Sequence, residues 1–385
     1  MKVLMVHEYY RQAGGEDKVF EKEKQLLKKE GIDVIEYTWH NSKINMGELK
    51  NIFLNKGISA QVYNELKKII KSERVDVVWC HNLYPYLLMS VYQAAKDSNC
   101  KLIHTLHNYR LICLNATFYN YQKQKICTLC LEKSFRRGLF VNCSANILKK
   151  IIAYNFVYNF WANEAYEKVD KFVVLTKFAY DIFKKIGIPE HKLFIKPNFI
   201  FEDEVDMPRG VGDYALFIGR LTYEKGILDL INAMNYVKRD IKLLIVGNGY
   251  LEALIRKVLD KYKLTNVHLI GWKSPDEVAK IISNARLLIL PSKWYEGFPM
   301  VILEAYSKGR PVLAHNVGGI KEIVFPDVNG WLVNNLSAKE FAKNIEHAYE
   351  VSESFKSEYI VEVLLNKWSA TTNYNKYIKS LLYSN

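Results

Sequence analysis

Short apolar runs, each followed by a stretch of helical periodicity, recur along this chain. The runs at 2–6, 34–38, 75–80, 101–106 and 171–176 have strand length, and polar or amphipathic segments separate them. Such alternation predicts an α/β fold with parallel strands, because parallel neighbours need a crossover and a helix is the usual one. The alternation resumes at 214–220 and continues through 241–246, 267–272, 287–290, 311–314 and 330–333. The two series are alike only in pattern; neither repeats the other's sequence. With 385 residues, 49% of them hydrophobic, the chain can build two domains with real cores. Residues 202–210 are polar, hold Pro208 and Gly210, and read as the linker. Residues 41–57 read as loop, and 356–382 as two closing helices.

Open parallel sheets take their ligands beyond the C-terminal ends of the strands. In the first series Gly14-Gly15 precedes a helix and could turn backbone N–H groups toward a phosphate. His81-Asn82 and His107-Asn108 follow the third and fourth strands, whereas His104 lies inside a strand and is expected to pack. In the second series Arg220 and Lys225 flank one strand-to-helix loop. Together they could clamp a diphosphate, Arg as a fork and Lys as a point charge, or else be solvated surface cations. Gly247-Asn248-Gly249 turns the next strand into a helix, and Gly271-Trp272 ends a strand against which a flat base could lie. Neither a dinucleotide fingerprint nor a P-loop is present.

The stretch from Leu287 to Ala305 is the densest in signals. An apolar strand ends at Pro291-Ser292, Gly297 permits a tight loop, and Pro299 suits the first helical position of a helix running to about Lys308. Glu296 sits in the loop and Glu304 in the helix, with Phe298, Met300 and Val301 between. Each carboxylate can accept two hydroxyl hydrogen bonds, and the helix start between them would suit a phosphate.

Taken in order, Gly219-Arg220-Leu221, Glu224-Lys225-Gly226, Gly247-Asn248-Gly249, the Glu296 to Glu304 spacing and Gly318-Gly319-Ile320-Lys321-Glu322 resemble glycosyltransferase family 4. These are retaining enzymes of the GT-B fold with an E-x7-E signature. The resemblance covers the C-terminal half; the N-terminal half matches through Gly14-Gly15 and Leu106-His107-Asn108. It implies two Rossmann-like domains facing a central cleft. Residues 1–205 would receive the acceptor, 206–365 the nucleotide-diphospho-sugar donor, and a helix in 366–385 would cross back to the first domain. By the same resemblance Arg220 and Lys225 hold the diphosphate, Glu304 the ribose hydroxyls and Glu296 the transferred sugar. His107 and Gly15 lie near sugar and phosphate, and Gly247, Gly271, Gly297, Phe298, Met300 and Val301 line the donor site. Glu296, His107, Lys225 and Arg220 would carry the chemistry: transfer of a sugar to a polysaccharide or lipid-linked saccharide. No D-x-D motif appears, so no catalytic metal is expected. A nucleotide-sugar epimerase, a sugar phosphorylase, or a non-catalytic nucleotide-binding or membrane-adaptor subunit would share the fold.

The first domain carries a basic, aromatic insert at about 109–160. It holds eight Lys/Arg against one acid, with ten Phe/Tyr, and so supplies more than half of the net charge of +13. An anionic partner is implied. Without a zinc-finger or RNP signature, a membrane surface ranks above nucleic acid. The pattern at 147–161 fits a helix packed into its domain, or one lying in a membrane interface with Lys149 and Lys150 toward lipid phosphates. Cys113, Cys127, Cys130 and Cys143 include one C-x2-C pair and could close a structural zinc site, or remain buried thiols. This insert resembles that of a bacterial subset making surface polysaccharides. With neither a secretory signal nor a membrane-spanning run, the protein is expected in the cytoplasm, at times on the inner face of the membrane.

Overall fold

The computed structural model describes all residues except 11–13, 44–46, 48–51, 53–54, 142, 144–145, 208–209, 211, 335–336 and 384–385. It divides into two units. Unit 1 comprises Met1–Gln122, Cys127–Pro197 and Tyr374–Asn385; unit 2 comprises Lys123–Ile126 and Asn198–Asn373.

Unit 1 is built on six strands: β1 (Lys2–Tyr9), β2 (Asp33–His40), β3 (Val77–Cys80), β4 (Lys101–Leu106), β5 (Lys171–Val174) and β6 (Leu193–Ile195). Their order is β2-β1-β3-β4-β5-β6, and every ladder is parallel. Burial explains the composition of each strand. Val3, Leu4, Met5 and Val6 of β1 are all buried, as a central parallel strand covered on both faces requires. At the edge, β2 alternates between half-buried and exposed positions. The crossover helices include α1 (Gly15–Lys29), α2 (Ala60–Glu73), α3 (Leu88–Asp97), α4 (Ile147–Ala162) and α5 (Lys177–Lys185). The chain runs from β1 outward to β2, then returns to β3 on the other side of β1. The order therefore reverses between β1 and β3, where such sheets open a ligand crevice.

Unit 2 repeats the plan. Its strands are β7 (Tyr214–Ile218), β8 (Lys242–Val246), β9 (Val267–Gly271), β10 (Ala285–Leu290), β11 (Val312–His315) and β12 (Gly330–Val333), in the parallel order β9-β8-β7-β10-β11-β12. The reversal lies between β7 and β10. Helices α6 (Ile227–Met234), α7 (Glu252–Tyr262), α8 (Pro275–Ser283), α9 (Met300–Tyr306), α10 (Ala338–Val351) and α11 (Ser357–Trp368) complete it. One core joins Phe217, Ile245 and Ile289 of the sheet to Leu230, Ile231, Phe341 and Ile345 of the helices.

Three expectations shift. The units divide after Pro197, ahead of the expected linker. Within that linker Glu202–Glu204 forms a 3-10 turn anchored in unit 2: Glu202 accepts the Thr371 N–H at 2.9 Å, and Lys308 donates to the Glu204 carbonyl at 3.0 Å. Residues 208–209 of it, like much of the loop expected at 41–57, lie outside the described residues. At the other end α11 still belongs to unit 2, where Trp368 packs against Phe298, Tyr306 and Phe325; the chain joins unit 1 only from Tyr374.

Candidate active site

In unit 2 the loops after β7 and β10, the two strands at the reversal, bring Lys225 to Glu296. The Lys225 ammonium donates to Glu296 Oε1 at 2.7 Å, and the Ser292 hydroxyl donates to the same oxygen at 2.6 Å. Both bonds fall on Oε1. Glu296 is buried, and the Lys225 ammonium lies 5.0 Å from the centre of the Trp294 ring. The sequence predicts both residues as donor contacts without predicting that they touch. Ser292 and Trp294, which sequence spacing does not single out, lie just before Glu296 and join the pair.

Neighbouring loops are tied together. The Lys293 N–H donates to the Glu224 carbonyl at 2.8 Å, Leu221 to Asn248 at 2.8 Å, Gly247 to Gly271 at 2.9 Å, and Gly319 to the Glu296 carbonyl at 3.0 Å. Five strand-end loops thus share one backbone mesh. Two glycines allow it. Gly226 has φ +71, and a Cβ there would stand 1.8 Å from the Pro291 carbonyl oxygen; Gly318 has φ +58, and its Cβ would stand 2.6 Å from that of Glu296. Arg220 opens the same loop as Lys225, is exposed, and lies 3.4 Å from the buried carboxylate of Glu224. Phe298 and Met300 are buried, Gly297, Val301 and Glu304 half-buried, and Trp272 stands 68% exposed just after β9.

The helix after this loop is shorter than expected. It spans seven residues, Met300–Tyr306; Pro299 is its N-cap and Ser307 its C-cap. Two turns carry a modest dipole.

Unit 1 places a cluster of buried ionisable groups at its own strand ends, beside the reversal between β1 and β3. His81 Nδ1 and His107 Nε2 are 2.9 Å apart, and their rings stack. His81 Nε2 lies 3.2 Å from Glu23 Oε2, while the Lys196 ammonium donates to Glu23 Oε1. Burial alone would raise the Glu23 carboxyl; Lys196 and His81 reverse that and bring it down to about 2. His107 is held well below the usual histidine range, by burial first and then by His81, His7 and Lys196. His7 bonds Asp17 Oδ1 at 2.7 Å and is lowered by burial. His104 packs inside β4, as expected, and burial lowers it to about 3. A pocket beside the histidine pair is lined by Glu16, His81, Asn82, His107, Asn108 and Arg110 among others. Gly15 is the first residue of α1, and the position its Cβ would take is open space; Asp17 accepts the Gly14 N–H at 2.8 Å and so caps the helix. Glu23 and Lys196 were invisible in sequence: a Glu in a Lys-rich helix and a Lys at a strand end both read as solvated.

The insert corrects one expectation. Lys150 does not reach outward: it is buried and donates to the carbonyls of Leu139 and Val141, at 3.1 and 3.2 Å. Lys149 is exposed, with Ile147, Leu148, Ile151 and Phe140, the last at 85%. The opposite face of α4 packs through Ala153, Val157 and Phe160. Cys113, Cys130 and Cys143 are buried and Cys127 half-buried. Burial pushes the Cys130 thiol to about 12 and that of Cys143 to about 11. Among the described residues no three His, Cys, Asp or Glu side chains are grouped as a metal ion requires, and no helix is long and apolar enough to cross a membrane.

Known proteins resemble this chain along most of its length. Residues 208–358 match the family model of glycosyl transferases group 1, and residues 48–204 that of Glycosyltransferase Family 4. An uncharacterized glycosyltransferase of Methanocaldococcus jannaschii is 26% identical over 363 residues, 90% of this chain and 87% of its own. The lipopolysaccharide 1,2-N-acetylglucosaminetransferase of Salmonella typhimurium is 33% identical over 160 residues, 37% of this chain and 42% of that enzyme. Among solved structures, the lipopolysaccharide outer core galactosyltransferase WaaB superposes with a TM-score of 0.68 at 19% identity, over 99% of both chains. The Anabaena protein HepE, solved with UDP, gives 0.70 at 16% identity over 100% of both.

Proposed function

Since this chain is a family 4 glycosyltransferase of the GT-B fold, we propose that it moves a sugar from a nucleoside-diphospho-sugar to a saccharide acceptor, lipid-linked or polymeric, with retention at the anomeric carbon. The observation that carries this reading is the Lys225–Glu296 pair where the strand order of unit 2 reverses. Breaking the bond between anomeric carbon and phosphate builds negative charge on the departing diphosphate. A cation already oriented toward it stabilises the transition state more than the ground state. Glu296 orients Lys225 through Oε1, leaving Oε2 for a sugar hydroxyl. Arg220, on the same loop, takes the second phosphate; Glu304 takes the ribose. The Gly247–Gly271 junction and exposed Trp272 border the base. By the family resemblance His107 and Gly15 are the residues of unit 1 that serve the sugar and phosphate, and the acceptor attacks from the face the phosphate leaves. Complexes of HepE with UDP-glucose, and relatives named for lipopolysaccharide, colanic acid and amylovoran synthesis, support a nucleotide-sugar donor and a cell-surface glycan product.

A panel of nucleoside-diphospho-sugars tests this, read by thermal shift, by released nucleoside diphosphate and by the anomeric configuration of the product. The accepted donor raises the melting temperature and yields diphosphate only with acceptor, and the product keeps the donor's configuration. Lys225→Ala lowers kcat ~10²–10³-fold, the usual loss for one preorganised charge-stabilising donor. Epimerised donor, sugar phosphate, or full activity in that variant would refute the reading.

One surface supports a membrane as second partner. Exposed Phe140, Ile147, Leu148 and Ile151 lie in the same insert as exposed Arg136, Arg137 and Lys149. Apolar side chains enter the acyl boundary while cations meet anionic headgroups, which suits a lipid-linked acceptor.

A further inference from the structure

Resting on that reading, we propose that Glu23, His81 and Lys196 form a positioning relay that fixes which nitrogen of His107 carries its proton. Four elements of unit 1 supply it: Glu23 from α1, His81 from the end of β3, His107 from the end of β4 and Lys196 from the end of β6. Glu23 and Lys196 are each wholly buried, and so is His81. A buried ion pair is a weak source of stability, because desolvating both charges offsets their attraction. What it does here is hold a carboxylate against one imidazole nitrogen.

The hydrogen-bond roles follow in order. Lys196 donates to Glu23 Oε1, which fixes the carboxylate and leaves Oε2 beside His81 Nε2 at 3.2 Å. Their approach is an ion-pair contact, and among the described residues neither of these two buried atoms has a hydrogen-bond partner. A carboxylate accepts only, so His81 Nε2 carries the proton. In the neutral ring Nδ1 is then the acceptor, and it takes the proton of His107 Nε2 at 2.9 Å. His107 is thereby held as the Nε2–H tautomer with its lone pair on Nδ1, ready to accept from a hydroxyl. The charged and titratable groups around the pair are His7 from β1, Glu16 and Glu23 from α1, His104 from β4, Arg110 and Lys196. His7 is engaged by Asp17 and His104 by Tyr92 and the His81 carbonyl, so neither competes for His107.

Histidine side-chain ¹⁵N spectra of the free protein, at pH 6 to 9, read the tautomer directly. His107 assigned by His107→Gln should show protonated Nε2 and bare Nδ1 in the native protein. Glu23→Gln, which offers His81 an amide of either polarity, and the apolar pair Glu23→Met with Lys196→Met should each mix or reverse that pattern. In donor turnover the same variants should lose at least about tenfold in kcat, with KM for the donor within about twofold and a displaced acidic limb of the kcat–pH profile. Equal melting temperatures for the apolar pair and the native protein would separate positioning from folding. An unchanged tautomer, or kcat and pH profile unmoved in a folded Glu23→Gln, overturns the relay. A native protein that turns over no donor would instead overturn the transferase reading, and the spectra would still decide the relay.

Discussion

Glu8 shows what a single buried group can do to this protein. It ends β1 with no exposed surface, accepts the N–H groups of Tyr86 and Leu87 at 3.1 and 3.2 Å, and is pushed by burial to about 8. Its folded value lies above the ordinary carboxylate value, so the folded state holds the proton longer. The stability it contributes is complete below about pH 4.5 and is lost as pH rises through about 8, by up to about 1.4 kcal/mol per unit. Glu8→Gln should therefore match the native protein at pH 5 and melt higher at pH 9; scanning calorimetry at the two values decides it. Gly226 is a second such residue. Gly226→Ala should lower both melting temperature and kcat, because a methyl 1.8 Å from the Pro291 carbonyl must displace the turn that presents Lys225. At this scale chemistry and spacing single out Lys225, Glu296 and His107 as candidates, and the fold brings the first two into contact. The sequence is opaque where burial decides: Glu23, Lys196, Lys150 and Glu8 are residue types that usually face water, and only the packed fold reveals the side each one faces.

Among the elements, α4 divides its apolar surface. Ala153, Val157 and Phe160 face the core, whereas Ile147, Leu148 and Ile151 face out beside Phe140. The packed reading of its wide stripe thus describes one face of the helix, and the other face is exposed. Replacing Phe140 and Ile147 by Ser should leave the melting temperature within a degree or two. It should reduce flotation with vesicles containing phosphatidylglycerol about tenfold at low salt, and added salt should weaken what remains. Undiminished flotation would remove this surface from consideration. The strands were readable because central parallel strands are apolar throughout. The ends of α9 and the place where the units divide were not. Pro299 suits a cap as well as a first turn, and a polar stretch such as 202–204 reads alike whether it links units or is anchored on one.

For the whole molecule, the family resemblance implies that a closing helix in 366–385 returns to the first domain, whereas apolar patterning alone does not say where it packs. Tyr374, Ile378, Leu381 and Leu382 are buried, and that segment belongs to unit 1 although α11 just before it belongs to unit 2. A chain stopped after Asn373 should lose several kcal/mol from unit 1 and little from unit 2, since each buried aliphatic side chain is worth about 1.5–3 kcal/mol. Thermal unfolding should then resolve two transitions, with nucleotide protecting only the higher one. Synthesis runs from the N-terminus, so the strands of unit 1 leave the ribosome first yet wait for their last layer. Unit 2, whose sheet and helices are all encoded before Tyr374, can be finished while unit 1 still lacks the segment that covers its last buried side chains.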